Sequence, residues 1–375
     1  MADIEARETP TPVATSPAPC GTLDEALERL HTTGPEFEGW LSNHAPMAVE
    51  ALVRHGQAAT VHPWLDAYRT RLDELPGAHY PVTEANWREA LGDPRRAGDW
   101  VRHFTRLLAE RPWRDVLAEW WPRLLPGITA AATHPVIRVG HAVRTLLDGD
   151  DGGDGATGPR VAELGHALGY WAARHQPLPV PVRLGAPGTP GTLGAAEALA
   201  AVPRVPDQRG GIRDRLAQLP SAPGWPAGAA TLRPAAGPDE ARERLTELVR
   251  EATTRYAAYG HGSPVMLVHA ATAPNAVLRT LPALPRELWA ASLAAAWEAS
   301  AAVITAYSPA GPAEPRRAGA VPATAEEVFA RAAAHGDAHT IKFTDTALDV
   351  AAAEPERAPR VWAAAAASCE LIPPA

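Results

Sequence analysis

Asn43-His44-Ala45-Pro46-Met47-Ala48-Val49-Glu50-Ala51-Leu52-Val53-Arg54-His55-Gly56 holds the start, the buried face and the stop of one α-helix. Asn43 is a residue that caps helix N-termini, and the first turn tolerates Pro46 because its missing N–H would have no partner there. His44, Met47, Ala48, Ala51, Leu52 and His55 fall on one side at helical spacing, so an inward stripe is headed by a histidine. Gly56 supplies the left-handed residue that ends a helix.

The same pattern recurs along the chain. Thr22 and Glu25 have the spacing of a capping box ahead of Leu23, Leu27 and Leu30, so order is expected to begin at Gly21. Residues 58–74, 86–92, 97–110, 112–123, 129–148 and 159–175 read as helices, as do 238–259, 263–281, 285–308 and 324–335. In the last of these Thr324 and Glu327 form a second capping box, Gly336 stops the helix, and Asp337 is placed to cap the next. Alternating β-branched runs are scarce, and the expectation is an all-α chain. Residues 1–20, rich in Pro, Thr and Ala, read as a flexible tail, and 21–375 as a single large helical domain. Within it 176–237 is a long Pro/Gly-rich excursion with only short helical patches, an irregular cover or lid over two helical halves at about 22–175 and 238–370.

Composition narrows the function. With 46% hydrophobic and 21% charged residues over 375 positions the chain is globular, and a net charge of −8 with dispersed basic residues argues against nucleic acid as a partner. No apolar run reads as long enough to span a bilayer, so no membrane partner is expected. Cys20 and Cys369 lie near opposite ends, outside any Cys-x-x-Cys pattern, which fits a reducing cytoplasm. Walker, Gly-x-Gly-x-x-Gly and Gly-x-Ser-x-Gly motifs are absent, so nucleotide-fold and serine-hydrolase chemistry have no support.

One lysine stands among 35 basic residues, Lys342, in Ala334-His335-Gly336-Asp337-Ala338-His339-Thr340-Ile341-Lys342-Phe343. Arginine stays charged, whereas a buried lysine can lose its proton and act as a base, a nucleophile or a modified ligand. His339, one turn earlier, shares its face. Of fourteen histidines, His31, His62, His79, His103, His175 and His261 fall at helix ends or in loops, where solvated imidazole is ordinary. His44, His134, His141, His269 and His339 sit on apolar helices, and each buried imidazole needs a polar partner that one shared metal would supply to all. Imidazoles without thiolate suit Fe(II), Mn, Cu or Zn, with an oxygen ligand still to be found. Asp337 and Asp345 are near in sequence, and carbon dioxide added to a neutral Lys342 would make a carbamate with the same oxygen chemistry. Two competing readings stand beside this. Glu28-x-x-His31 and Glu163-x-x-His166 have the ligand spacing of a di-iron bundle, and the histidines could instead be hydrogen-bonded core residues of a non-catalytic protein.

Ser42-Asn43-His44-Ala45-Pro46-Met47-Ala48, with Ala51-Leu52 and Gly56, resembles the opening motif of the questin oxidase-like family. His134-Pro135-Val136-Ile137, Val268-His269-Ala270-Ala271-Thr272-Ala273-Pro274 and Gly336-Asp337-Ala338-His339-Thr340-Ile341-Lys342 are similar to further family motifs, in the family's order from about residue 30 to 355. The resemblance implies a helical oxygenase that opens the quinone ring of anthraquinone polyketides by Baeyer–Villiger-like oxygen insertion, with a small aromatic substrate and dioxygen as partners. It implies His44, His134, His269 and His339 as imidazole ligands of iron and Lys342 as a carbamylated one, with His44, His269, His339 and Lys342 catalytic. NADPH use by a metal-free oxidase is the alternative it leaves open. Where family members read His-Pro-x-Ile-His this chain has Arg138 in place of the second histidine, so Arg138, His141 one turn further, and His335 remain candidates for contact with the cofactor, and the second ligand is either His134 or His141.

Overall fold

In the computed structural model, which describes residues 19–148, 156–185, 191–314 and 324–375, the chain is all-α apart from one two-residue pair, β1 (Glu36–Phe37) antiparallel to β2 (Leu41–Ser42). Most of the 1–20 tail lies outside the described residues, but Pro19 and Cys20 already belong to α1 (Pro19–Leu30). Thr22 is therefore inside the first helix and does not cap it, a correction to the capping-box reading, while Leu23, Leu27 and Leu30 are buried as expected.

The N-terminal half continues through α2 (Ala45–Arg54), α3 (Ala58–Arg69), α4 (Trp87–Ala90), α5 (Ala97–Glu110), α6 (Trp113–Leu124), α7 (His134–Leu147) and α8 (Gly158–Arg174). The helix expected over 129–148 starts only at His134, because Ala131, Ala132 and Thr133 take left-handed backbone angles (φ 42°, 54° and 70°) just before it. The 176–237 excursion holds three short helices, α9 (Ala195–Ala201), α10 (Ile212–Leu216) and α11 (Trp225–Ala229). The C-terminal half is α12 (Pro238–Tyr259), α13 (Pro264–Leu267), α14 (His269–Thr280), α15 (Trp289–Tyr307), α16 (Ala325–His335), α17 (Ala338–Ala353) and α18 (Ala358–Leu371). The span 263–281 is thus two helices joined at Val268, which leaves His269 as the first residue of α14.

Segment Arg286–Tyr307 does have the length and apolarity of a membrane span, which corrects the sequence expectation, but 72% of its apolar 18-residue stretch is buried inside the protein. It is a core helix. Trp100, Trp120, Trp121, Trp171, Trp225 and Trp297 are likewise fully buried, and truncating any one would cost about 3–5 kcal/mol. The excursion packs onto α15 through backbone acceptors: Trp297 donates to Ala229 O (2.6 Å), Arg215 to Ala306 O (2.9 Å), and Val205 N to Thr305 O (2.9 Å).

Among the described residues two apolar clusters form the core, a larger one built chiefly on α4–α15 and a smaller one chiefly on α1–α3 and α16–α18. Helices α2, α7, α14 and α17 close a ring where the two halves of the chain meet, each touching the next. Helices α7 and α14 approach closely: a Cβ at Gly140 would lie 2.5 Å from Ala276 Cβ and 2.6 Å from its Cα. Only glycine allows those two backbones to cross there, and the crossing sets how near their N-termini can come.

Candidate metal centre

All four helices of the ring begin with a histidine at the same end. His44 is the N-cap of α2, His134 and His269 are the first residues of α7 and α14, and His339 is the second residue of α17. Local contacts hold each start. Asn43 Oδ1 accepts from Ala45 N (3.0 Å), while its amide donates to Thr33 Oγ1 and Gly34 O (each 3.1 Å). His44 N donates to Tyr68 OH (3.1 Å), and burial pushes that phenol up to about 12. At α17 the sequence expectation is met: Gly336 (φ 80°) ends α16 and Asp337 Oδ1 accepts from His339 N (2.8 Å) and Thr340 N (3.1 Å).

The imidazoles meet. Ring centroids of His44 lie 4.5 Å from His134 and 4.3 Å from His339, and those of His134 and His269 are 4.4 Å apart. One ligand nitrogen from each of His44, His134 and His339 falls within 4.8 Å of the others. Lys342 Nζ reaches within 3.4 Å of His44 Nδ1, and the lysine is 1% exposed. Burial drives His44, His134 and His269 well below the usual histidine range, with the neighbouring Lys342 charge adding to the effect, and lowers His339 as well. Burial also brings Lys342 down to about 7. Burial thus favours the neutral form of each of these groups.

Tautomers follow from the carbonyls. His134 Nδ1 is 2.7 Å from Ala131 O and His269 Nδ1 is 3.0 Å from Met266 O; a carbonyl only accepts, so each Nδ1 carries the ring's proton. Both Nε2 atoms are then lone-pair acceptors, yet they face each other at 3.0 Å. Two lone pairs at that separation repel unless a cation lies between them. Two imidazole nitrogens at right angles on one metal, each about 2.1 Å from it, would be about 3.0 Å apart, so the donor set fits a metal ion.

Three candidates lie elsewhere. His141 Nδ1 donates to Glu50 Oε2 (2.7 Å), more than a turn beyond the cluster on α7. Arg138 is held by Glu163 of α8 through two bonds of 2.6 and 2.8 Å. His335, at the C-terminal end of α16, donates from Nε2 to Ile372 O (3.0 Å). Of the two options for the second histidine the geometry therefore brings in His134. The di-iron pattern does not assemble: Glu28 is exposed and both oxygens of Glu163 are engaged by Arg138.

A second buried group joins His141 and Asp345, both singled out in the sequence, to Glu50, which was not. Glu50, His141 and Asp345 bring ligand atoms within 4.8 Å of one another. Arg144 and Arg279 already fill that space. Arg144 binds Glu50 Oε1 (2.9 Å) and both Asp345 oxygens (3.0 Å each), and Arg279 binds Asp345 Oδ2 (2.6 Å). The guanidinium groups hold Asp345 well below the usual carboxylate range, and Arg144 holds Glu50 at about 2, in each case against the opposing effect of burial. The signal was present as spacing, since each ring helix carries a buried polar residue six or seven positions after its histidine: Glu50, His141, Asn275 and Asp345.

A helical protein with a buried cluster of four imidazoles and one amine is thus defined by its own coordinates. Residues 41–147, which carry His44 and His134, match the model of the family described as Questin oxidase-like. The match covers under a third of the chain and is the family that the motifs resemble; no curated protein matches the chain.

Proposed function

We propose that this chain is a non-haem metal-dependent oxygenase, with iron as its metal, that opens a ring of an aromatic polyketide or anthraquinone-like phenol. The observation that carries this reading is the pair of facing Nε2 lone pairs of His134 and His269 at 3.0 Å, which calls for a cation. The family match over 41–147 supports the substrate class. Iron, held by His44, His134, His269 and His339 with Lys342, would supply the one-electron chemistry that dioxygen needs to react with a closed-shell organic molecule. The protein's own groups do the rest. Four neutral imidazoles add no charge, so Lys342 is the group able to balance the ion: its amine lone pair bonds to the carbon of carbon dioxide and one proton leaves, giving a carbamate with one negative charge. The low amine pKa, near 7, supplies the free base for that addition at neutral pH. His269 and Lys342 are 0% and 1% exposed, whereas His44, His134 and His339 keep slight exposure and would be the side from which a substrate could reach the ion. Trp64 stacks on Tyr68 (4.8 Å between rings), and the two bond to Gly336 O and His44 N, which sets aromatic rings beside the helix starts that carry His44 and His339.

The test is metal analysis of protein reconstituted with Fe(II) without oxygen. One equivalent of iron is expected in the wild type, and loss of it in His44→Ala and His269→Ala with the helical circular-dichroism signal kept. A wild type that takes up no stoichiometric iron, manganese, copper or zinc would falsify the reading and leave a helical protein with structural histidines.

A further inference from the structure

The two buried polar groups are two layers of one four-helix ring. Six or seven residues separate the upper from the lower member on each helix, about 9–11 Å along the axis: His44 to Glu50 on α2, His134 to His141 on α7, His269 to Asn275 on α14, His339 to Asp345 on α17. The lower layer is complete in itself. Carboxylates of Glu50, Asp345 and Asp349 are bonded to Arg144 and Arg279, Asn275 donates to Asp349 Oδ2 (2.9 Å), and His55 donates to Asp345 Oδ1 (2.8 Å). A second metal ion there would sit against two guanidinium groups. His141 links three helices from the centre: from α7 its Nδ1 donates to Glu50 on α2, and its Nε2 accepts from Arg279 Nη1 on α14 at 3.4 Å.

We propose that this lower layer is the positioning device of the metal centre, and that His141 is its central positioning residue. The inference rests on the reading of the upper layer as a metal site. Apolar packing alone is tolerant of small sliding between helices, whereas directional charged bonds at four successive contacts fix the register of all four helices at once. Register is what the upper layer requires, since a ligand displaced by more than about 0.5 Å no longer meets the ion in its preferred geometry.

The experiment compares wild type, His141→Leu and His141→Asn by titration with Co(II) well below their melting temperatures, reading the dissociation constant and the visible spectrum. His141→Leu is expected to bind one equivalent about 10- to 100-fold more weakly with an altered spectrum, and His141→Asn, whose amide can still donate to Glu50, to recover most of the affinity. A role in stability alone would lower the melting temperature and leave both readouts of the folded protein unchanged, and that result overturns the proposal. A second equivalent of metal that His141→Leu loses while keeping the first overturns it too, in favour of a second site. Should His141→Leu not fold, Asp349→Asn at the 28% exposed rim of the layer takes its place, with weakened binding expected and unchanged binding fatal to the idea. A wild type that binds no metal removes this inference together with the reading beneath it, which separates the two failures.

Discussion

Lys342 is the only amine among 35 basic residues, and it lies where a permanent cation would be hardest to keep, 1% exposed and against four imidazoles. Lys342→Arg is expected to abolish metal binding, because guanidinium stays protonated and cannot add carbon dioxide. For the wild type, metal uptake should fall when carbon dioxide is stripped during reconstitution and return with bicarbonate. Normal metal content in Lys342→Arg would remove the lysine from the ligand set. Glu298 of α15 is a different buried titratable group: burial raises it from 4.5 to about 7, and the bond it accepts from Val182 N (2.8 Å) only partly opposes this. Between those two values the folded protein keeps a proton that the unfolded chain releases. Stability contributed by the neutral form is therefore present below about pH 4.5 and lost as pH rises to 7. Glu298→Gln keeps a neutral acceptor for Val182, so it should melt above the wild type at pH 8, by on the order of 2 kcal/mol, with the gap closing toward pH 5. Parallel melting curves across that range would show that burial does not perturb the carboxyl.

Two contacts with backbone help to aim helix α7. Left-handed Ala131, Ala132 and Thr133 bring Ala131 O to 2.7 Å from His134 Nδ1, a conformation that costs roughly 1–2 kcal/mol per non-glycine residue and persists because its surroundings hold it. Six residues on, Gly140 lets α7 meet Ala276 of α14. Gly140→Ala would push a methyl to 2.5 Å from Ala276 Cβ, so α7 and α14 must part. Stability should fall by about 1–3 kcal/mol in denaturant unfolding, and metal affinity should fall as well because His134 and His269 separate with their helices. Loss of stability with unchanged metal affinity would mean that the helix starts are positioned independently of this crossing.

Glu50, His141, Arg144, Arg279 and Asp345 are bonded together where helices of the two halves of the chain meet. Arg144 alone bonds Glu50, 94 residues away, and Asp345, 201 residues away. A metal above this boundary would tie together helices from both halves, and a ligand that binds only the folded state stabilises it by mass action, about 2.7 kcal/mol at a hundredfold excess over its dissociation constant. Chelation should then lower the melting temperature by several degrees, and Fe(II) should restore it, an effect absent from His269→Ala. In acid the carboxylates matter more: Glu50 and Glu163, each held at about 2, contribute stability that is complete above pH 4.5 and lost as pH falls toward 2.

Local signals were enough for the helices and for the ligand candidates. Caps at Thr324 and Asp337, the stop at Gly336, and apolar stripes of period 3.6 depend on neighbours within a few residues, and a lysine that survives alone among arginines is visible without coordinates, whereas Asn43, expected to cap α2, stands one residue before its N-cap His44, which makes no side-chain cap bond. The two-residue strands and the left-handed turn before His134 left no such trace, being too short for any period. Depth was also hidden. His134, Arg138 and His141 share one face of α7, so periodicity places all three inward and cannot say which reaches the cluster. Glu163 on α8, Glu50 on α2 and His269 on α14 decide it, each meeting one of the three from a different helix. Facing side chains on one helix are set by the 3.6-residue turn, but their partners are set by how helices far apart in sequence cross, and that crossing follows from packing such as Gly140 against Ala276 rather than from any local pattern.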